Sequence, residues 1–322
     1  MEKANSQGII SPAYHAFHGE NVDSRFYYAY FRSKNFINKD LKPHVYGIRD
    51  GRSIDIEGMK TIKIPCTSYA EQKSIGDFLT TLDHLITLHQ RKFDKLQVLK
   101  KAMLEKMFPK NGSSVPEIRF KGFTDAWEQR KLGELLKTIT TGKSVNSDDG
   151  AVAVGDIGIL KTSCVSYDRF NPYESKPVVK DELQSVKCAV EKDSVIVSRM
   201  NTPERVGACG YVSTDFPNLF LPDRLWKLKF QDNVDAYFVY MMLVSSVYKE
   251  KITSMASGTS GSMYNIPKET FLNLQLVVPV QTSEQRKIGQ VLRQLNDLIT
   301  LHQRELEKLQ NIKKSMLEKM FV

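Results

Sequence analysis

Cysteine is scarce in this sequence, and its few copies follow no pattern. Cys66, Cys164, Cys188 and Cys209 are widely separated, without Cys-x-x-Cys spacing. This spacing argues against a disulfide framework and against a cysteine zinc site, and it favours reduced thiols with mostly structural roles. The sequence also lacks a signal peptide and any apolar run of membrane-spanning length, so we expect a cytoplasmic protein that makes no membrane contact.

Catalytic motifs are equally hard to find. The stretch Thr141-Gly142-Lys143-Ser144 is similar to the end of a phosphate-binding loop, but Lys137 stands where that loop requires its first glycine. Asn171-Pro172-Tyr173 lacks the second proline of the amino-methyltransferase tetrapeptide, and a turn explains it better. No His, Asp and Glu residues show metal-ligand spacing along the chain. The sequence therefore predicts a non-catalytic protein with no metal site and no cofactor of its own.

Positive charge, by contrast, is in excess. Lys and Arg number 46 against 37 Asp and Glu, a formal net charge of +9. Hydrophobic residues make up 41% of the chain and aromatic residues 10%, which is typical of a globular protein. The charge favours an anionic partner, with a merely basic soluble protein as the alternative.

The dominant feature is a repeat. Residues 71–108 and 284–321 align at an offset of 213 and are identical at 24 of 38 positions. Apolar residues in both copies step by alternating fours and threes, which is typical of a coiled-coil helix. The seam residues are Ile75, Leu79, Leu82, Ile86, His89, Phe93, Leu96, Lys100, Met103 and Met107 in the first copy, and Ile288, Leu292, Leu295, Ile299, His302, Leu306, Leu309, Lys313, Met316 and Met320 in the second.

Each copy needs a partner for its apolar seam, and the nearest partner is the other copy. A helix of this length extends about 57 Å, since each residue adds about 1.5 Å. We therefore expect a spacer. His89 and His302 occupy the same seam position, so we interpret them as residues that fix the register or pair across the helices, rather than as an active site.

The repeat extends beyond the helices. Residues 21–28 resemble residues 233–240, and the strand-like Thr61–Ile64 before Pro65 resembles Leu276–Val278 before Pro279. Residues from about 112 to 212 have no counterpart in the first half. The sequence thus predicts a first globular unit that is shorter at its N-terminal side than the second.

These observations predict five segments. Residues 1–66 form the C-terminal part of a first globular unit, 67–109 the first helix, 110–117 a linker, 118–282 a complete second unit and 283–322 the second helix. Pro109 at the end of the first helix segment, and Gly112 and Pro116 in the linker, end helices and favour loops.

The second unit reads as mixed α/β (α+β). We expect a helix starting at Thr124 or Asp125, with Leu132, Leu135 and Leu136 facing the core. The local patterns also predict strands at residues 151–154, 157–160, 194–197, 210–212 and 219–221, and a single helix over 234–248.

Polar loops that follow the predicted strands supply candidate DNA-binding residues. Arginine reads guanine edges, asparagine reads adenine, and both also contact phosphates. The loop 257–265 offers amides and hydroxyls for phosphates, and 46–53 is its counterpart in the first half. For each residue the alternative is a solvated surface group or a turn. The candidates are Lys143, Arg199, Asn201, Arg205, Arg224, Ser260, Ser262, Asn265, Arg49 and Arg52.

Several of these stretches in combination resemble a known family. They are residues 118–134 (IRFKGFTDAWEQRKLGE), Asn265-Ile266-Pro267, Val278-Pro279-Val280 and Glu284-Gln285-Arg286-Lys287-Ile288-Gly289, with Glu71-Gln72-Lys73-Ser74-Ile75-Gly76 repeating the last of them. Over essentially its whole length the chain resembles the DNA specificity subunit of type I restriction-modification systems.

The resemblance implies two target-recognition domains, each followed by a long helix and each reading one half of a bipartite target in double-stranded DNA. It implies that the helices form an antiparallel coiled coil that docks the methyltransferase subunits, which carry S-adenosylmethionine. Separate restriction subunits would carry ATP, Mg²⁺ and the nuclease. The assembled complex would act as a site-specific deoxyribonuclease and adenine methyltransferase, and this chain would be its non-catalytic reader.

In the family the first recognition domain is complete, whereas this sequence opens inside one. We therefore expect either a split system, completed by another specificity-subunit fragment, or an inactive remnant. The main alternative is a coiled-coil adaptor that contacts DNA nonspecifically. A chain that is itself a nuclease or methyltransferase is disfavoured by the missing motifs.

Overall fold

The computed structural model describes residues 17, 19–47, 53–110, 113–167, 169–258 and 263–321. The chain divides into two compact units, unit 1 comprising residues 1–97 and 298–322 and unit 2 comprising residues 98–297. Within the described ranges, no helix has the length and apolar character needed to cross a membrane.

Eight α-helices and sixteen strands are assigned within the described residues. The helices are α1 (Ser24–Phe31), α2 (Ile56–Lys60), α3 (Tyr69–Lys106), α4 (Leu132–Leu135), α5 (Ala236–Leu243), α6 (Ser246–Ser254), α7 (Lys268–Leu272) and α8 (Thr282–Met320). The strands are β1 (Val45–Tyr46), β2 (Ser53–Ile54), β3 (Glu128–Lys131), β4 (Leu136–Thr141), β5 (Gly158–Leu160), β6 (Val165–Ser166), β7 (Arg169–Phe170), β8 (Ser175–Pro177), β9 (Ala189–Val190), β10 (Ser194–Ser198), β11 (Met200–Asn201), β12 (Cys209–Val212), β13 (Phe216–Phe220), β14 (Leu225–Phe230), β15 (Tyr264–Asn265) and β16 (Gln275–Val278).

Unit 1 is built around an aromatic cluster on helix α1. Asp23 caps this helix, because its carboxylate accepts hydrogen bonds from the backbone amides of Arg25 and Phe26. Phe26 and Tyr30 then pack against Leu79 of α3 and against Phe321, which follows α8. The start of one long helix therefore lies beside the end of the other, as an antiparallel pair requires.

The two helices of unit 1 also meet through polar seam residues. The Nδ1 atoms of His89 and His302 are 3.1 Å apart, which confirms that these matched histidines pair across the helices. Lys313 forms an ion pair with Asp83. These contacts fix the register of the antiparallel pair.

Most predicted seam residues are buried or half-buried, and one is not. Met316 is 36% exposed, whereas its neighbour Leu317 packs against the aromatic cluster of unit 1. The seam prediction is therefore wrong at Met316. A straight helix with 3.6 residues per turn drifts away from a seven-residue repeat, which accounts for a shift of one position near the helix end.

Unit 2 contains an antiparallel four-stranded sheet in the order β12-β10-β14-β4. All five residues of its central strand β10 are buried, and the apolar run Val195–Val197 has no exposed surface. A second four-stranded sheet has the order β8-β5-β13-β9, and β16 pairs with β3. The mixed α/β prediction for this unit is confirmed.

The helical part of unit 2 repeats the arrangement seen in unit 1. Asp235 caps α5 as Asp23 caps α1. Phe108, which follows α3, packs against Phe238 of α5, and Phe238 shares a core with Ile288 and Leu292 of α8. The second antiparallel contact is thus made by the same residue types at the same repeat positions.

A glutamine at the start of each long helix joins that helix to the globular part of its own unit. In unit 1 the Asp23 amide donates to Gln72 Oε1 at 3.0 Å, and in unit 2 the Asp235 amide donates to Gln285 Oε1 at 3.1 Å. Gly289 allows the close approach in unit 2, because a Cβ there would lie 2.7 Å from Asp235 Oδ1.

The helix predicted to start at Thr124 or Asp125 does not form. Residues 128–131 form β3 instead, which pairs with β16 from Lys131 opposite Gln275 to Glu128 opposite Val278. The acidic residues that favoured a helix start are outweighed by this ladder of hydrogen bonds with a distant segment. Leu132, Leu135 and Leu136 are buried, as predicted.

Three other local predictions differ from the structure. Residues 151–154 form no strand, and Val154 is fully exposed, so nothing pairs with this apolar run. Thr61–Ile64 is likewise not a strand. The single helix over 234–248 is two helices, because Ser245 adopts extended angles between α5 and α6. The strands predicted at 157–160, 194–197 and 210–212 are confirmed within one residue, and the one predicted at 219–221 is β13, which begins three residues earlier.

Candidate DNA interface

Three loops of unit 2 meet at one edge of the sheet formed by β12, β10, β14 and β4. Val197, near the end of β10, pairs with Trp226 near the start of β14, and Trp226 pairs with Thr141 at the end of β4. The residues after β4, after β10 and before β14 therefore emerge together. Antiparallel pairing places them there although they are far apart in sequence.

The turn at Asp223 connects these loops. The Asp223 carbonyl oxygen accepts a hydrogen bond from Arg199 Nε at 2.8 Å and from the Thr141 hydroxyl at 3.1 Å. Its carboxylate accepts a hydrogen bond from the Ser144 hydroxyl. The backbone amide of Arg199 also donates to the carbonyl oxygen of Arg224 at 3.1 Å.

Four of the predicted residues lie in these three loops, and we call them the basic edge: Lys143, Arg199, Arg205 and Arg224. Lys143, Arg205 and Arg224 are exposed, whereas Arg199 is half-buried with its guanidinium 6.0 Å from the centre of the Trp226 ring. Such a group of cations can neutralise phosphates, and arginine can also contact base edges.

A carboxylate lies within the same loops. The pKa of Glu204 is lowered by hydrogen bonds from its own backbone amide and from Thr202, so this group stays ionised beside Arg205 in the chain. Negative charge next to the cations weakens purely nonspecific attraction to DNA. It also provides an acceptor of the kind that contacts cytosine amino groups.

Asn201 is turned inward. It is 8% exposed, its Nδ2 donates to Ser198 Oγ at 3.0 Å, and its Oδ1 accepts from the Thr202 amide at 2.9 Å. Both ends of its amide are therefore used within the unit, which favours a structural role over contact with an adenine.

Asn265 lies across from this strand. Met200 pairs with Asn265 and Asn201 with Tyr264 in the short β11-β15 ladder, and Asn265 is half-buried. Among the described residues its Oδ1 is the buried side-chain oxygen without a hydrogen-bond partner. Ser260, Ser262, Arg49 and Arg52 lie outside the described residues.

Sequence reasoning missed the residues that hold the basic edge together. Thr141 and Ser144 were considered only as part of a phosphate-binding loop, yet their hydroxyls bond to the Asp223 turn. The available signal was the sequence Pro222-Asp223-Arg224, which is typical of a turn at a strand start. Spacing alone does not show which loop that turn contacts.

Gly142→Ala tests whether the Asp223 turn positions the basic edge. A Cβ at Gly142 would lie 1.5 Å from the carbonyl oxygen of Leu221, so the backbone has to move. We expect a loss of about 1–3 kcal/mol in stability, as for other overpacked sites, together with weaker DNA discrimination. Urea unfolding and binding to a selected duplex measure the two effects.

The control for this variant is Gly150→Ala. Gly150 has a positive φ of 124° but open space around its Cβ, so the substitution strains the backbone without pushing another segment. DNA discrimination that survives Gly142→Ala as well as it survives Gly150→Ala would contradict a role of the turn in positioning the cations.

Comparison with known proteins gives the family. The family model for the type I restriction modification DNA specificity domain matches residues 6–98 and 124–311, which is most of the chain. The chain belongs to this DNA specificity family. Two matched stretches agree with the internal repeat, since each ends within or near the end of a long helix.

Two relatives of this specificity family illustrate the range of similarity. The chain is 24% identical over 305 residues to the type I restriction enzyme MjaVIII specificity subunit of Methanocaldococcus jannaschii, a match that covers 92% of this chain and 68% of that protein. It is 23% identical over 188 residues to the EcoEI specificity subunit of Escherichia coli, covering 58% of this chain and 32% of that protein.

The fold agrees with a solved member of the family. The crystal structure of a type I restriction-modification S subunit from M. genitalium superimposes with a TM-score of 0.64 at 17% identity, covering 94% of this chain and 73% of that one. The recognition-domain fold and the antiparallel coiled coil expected from the sequence are therefore confirmed.

Proposed function

We propose that the chain is the DNA-reading subunit of a type I restriction-modification complex and that unit 2 reads one half of a bipartite target through its basic edge. The observation that supports this is that the loops bearing Lys143, Arg199, Arg205 and Arg224 leave one edge of a sheet together, with Arg199 bonded to the Asp223 turn, in a chain of the DNA specificity family. Cations on rigid strand ends provide phosphate contacts that position the unit, and arginines that can contact bases.

The coiled coil supplies the spacing in this proposal. Helix α3 has 38 residues and α8 has 39, so each extends about 57 Å at about 1.5 Å per residue. That exceeds one turn of B-DNA, about 34–36 Å, so the base pairs between two half-sites would remain unread.

The partners follow from the same role. Methyltransferase subunits would dock on the coiled coil and bring S-adenosylmethionine, and restriction subunits would bring ATP, Mg²⁺ and the nuclease. This chain would supply recognition without chemistry. The other half-site would be read by a second recognition domain, for which another specificity-subunit fragment is a candidate partner.

Selection from a random duplex library tests the proposal. The chain is purified in complex with a methyltransferase subunit, and bound duplexes are sequenced. We expect enrichment of a defined half-site. Binding that is steeply salt-dependent and shows no enriched sequence would instead identify a coiled-coil adaptor with nonspecific DNA contact.

Arg224→Ala tests the basic edge directly. If Arg224 contacts a base, its loss should cost about 1–3 kcal/mol of discrimination at one position of the target. An equal loss on all sequences would assign it to a phosphate. Competition binding with single-base target variants measures the difference.

Lys137→Ala is the matched control for this variant. Lys137 is exposed at the other end of β4, away from Thr141 and the Asp223 turn. We expect it to leave specificity unchanged. If Lys137→Ala alters the target as much as Arg224→Ala does, the basic edge is not the reading surface.

A further inference from the structure

Three side chains from the two long helices converge at the centre of the unit 1 coiled coil. His89 Nδ1 lies 3.1 Å from His302 Nδ1 and 2.9 Å from Glu305 Oε2, and His302 Nδ1 lies 3.3 Å from the same Glu305 oxygen. The three are partly buried, and their ligand atoms face one another. Sequence analysis predicted no metal cluster, because these ligands are brought together by helices 213 residues apart.

The separations match those within a metal coordination sphere. A zinc ion bound at about 2.0–2.1 Å in tetrahedral geometry holds neighbouring ligand atoms about 3.3 Å apart. The three separations, 2.9, 3.1 and 3.3 Å, lie at or just below that distance. An ion above the triangle would keep a fourth position for water, since the histidine side chains retain 16–17% and the glutamate 41% of their exposure.

Hydrogen bonds alone satisfy the three polar groups of this cluster less well than a metal ion would. A neutral imidazole carries one N–H, and both Nδ1 atoms face the same carboxylate oxygen. If both Nδ1 atoms carry protons, both can donate to the Glu305 oxygen, but the two N–H groups then lie side by side at 3.1 Å; if one does, the other presents its lone pair to the carboxylate. A single cation between the three atoms uses all three lone pairs at once.

We propose that His89, His302 and Glu305 bind a divalent transition-metal ion of the zinc class, which links α3 to α8. The two imidazoles are borderline donors that suit Zn²⁺, which also accepts a carboxylate oxygen, whereas Mg²⁺ and Ca²⁺ take oxygen ligands. The two histidines occupy one position of the repeat, but the repeat position of Glu305 in the first copy is Lys92. The duplicated helices therefore form one asymmetric three-ligand site rather than two.

Such an ion fixes the register of the coiled coil. It joins one residue of α3 to two residues one turn apart on α8, so a slip of either helix breaks the coordination. Because the unfolded chain does not hold the ligands together, zinc binds the folded form preferentially and raises its Tm.

The test uses the full, untagged protein after treatment with EDTA, and ZnCl₂ as the probe. Titration against a chromophoric chelator gives the affinity and the number of equivalents, and thermal unfolding gives the Tm with and without zinc. We expect one tight equivalent and a higher Tm. Absence of saturable zinc binding by the wild-type protein would overturn the proposal.

Substitution of each proposed ligand tests which residues bind the zinc. His89→Gln and His302→Gln should each weaken zinc binding at least about tenfold, the minimum seen when even supporting groups of metal sites are changed. Glu305→Gln should also weaken it while leaving both imidazoles. His84→Gln is the control, because His84 is exposed on α3 five residues before His89. Unchanged affinity in both the His89 and the His302 variants would contradict the assignment.

X-ray absorption on the zinc-loaded wild-type protein gives an answer that needs no variant. Two imidazoles and oxygen ligands at about 2.0–2.1 Å are expected. Sulfur ligands at about 2.3 Å would show that the zinc is bound by cysteine and would contradict the proposal. Neither readout depends on DNA recognition, so zinc binding and target selection succeed or fail separately.

Discussion

Replacing Glu284 with alanine should destabilise unit 2 by about 3–5 kcal/mol, the cost of removing one partner of a buried ion pair. Glu284 is 1% exposed, and its carboxylate accepts two hydrogen bonds from Arg119, at 2.7 Å to Nε and 2.8 Å to Nη2. Trp127 Nε1 donates to it as well, at 3.4 Å. Truncation leaves the largely buried guanidinium of Arg119 without its counter-charge.

Glu71→Ala is the matched control. Glu71 occupies the same position of the repeat but is exposed, and its described contact is the hydroxyl of Thr67. A surface group of this kind should change stability by no more than about 0.5 kcal/mol. The same substitution is thus compared at two equivalent repeat positions, of which Glu284 is buried and Glu71 is exposed.

Tryptophan fluorescence during urea unfolding reports the stability of unit 2, which contains Glu284. The chain has two tryptophans, Trp127 and Trp226, and both lie in unit 2. The unfolding midpoint from tryptophan fluorescence should fall for Glu284→Ala, and the midpoint from circular dichroism, which also reports unit 1, should stay near the wild-type value for Glu71→Ala. Equal effects of the two variants would show that the Arg119 pair contributes nothing beyond helix propensity.

Phe108→Ala should cost a similar amount, about 3–5 kcal/mol, through the cavity that it leaves. Phe108 is buried after the end of α3, its ring centre is 5.6 Å from that of Phe238, and Phe238 packs in turn against Trp127. The loss removes the aromatic contact that joins the end of one long helix to the globular part of unit 2.

Phe321→Ala makes the same change at the matching position of unit 1. There the ring of Phe321 lies 5.3 Å from Phe26 and 5.4 Å from Tyr30. We expect Phe108→Ala to shift the tryptophan-detected transition, and Phe321→Ala to shift the circular-dichroism transition while changing the tryptophan signal by less than about 1 kcal/mol. A tryptophan shift as large as that of Phe108→Ala would refute independent contributions.

The two long helices and their pairing were both predictable from the sequence. Seam residues such as Leu79 and Leu292 repeat at a period that only a helix satisfies, and the identity of the two copies predicted that they meet. The same reasoning predicted the His89–His302 contact. It did not reveal Glu305 as a third member, because the repeat offers Lys92 at the matching position.

Short strands were predictable where the whole segment is apolar and buried. They were not predictable where strand formation depends on pairing with a segment far away in the sequence. Val195–Val197 is apolar, β-branched and fully buried, so local pattern and final structure agree. Glu128–Lys131 is entirely polar and becomes a strand only because Gln275–Val278 pairs with it. Ala151–Val154 has a strand composition and finds no partner.

The candidate site was predictable in part for a related reason. Arginines in loops after strands suggest recognition, and Arg199, Arg205 and Arg224 were predicted in this way. Which loops meet depends on the order of strands in the sheet, and that order is set by packing across the whole unit. Asn201 shows the converse error, since a residue type suited to adenine is used to close its own loop.

The hydrogen bonds of Gln72 and Gln285, which join each long helix to the globular part of its unit, have an evolutionary consequence. Each glutamine accepts a hydrogen bond from the backbone amide of a helix-capping aspartate, at 3.0 Å for the aspartate that caps α1 and at 3.1 Å for the one that caps α5. A foreign recognition module that carries such an aspartate could be recombined onto either long helix without redesigning the connection. The connection itself would stay the same while the globular part, and any sequence that it reads, is exchanged.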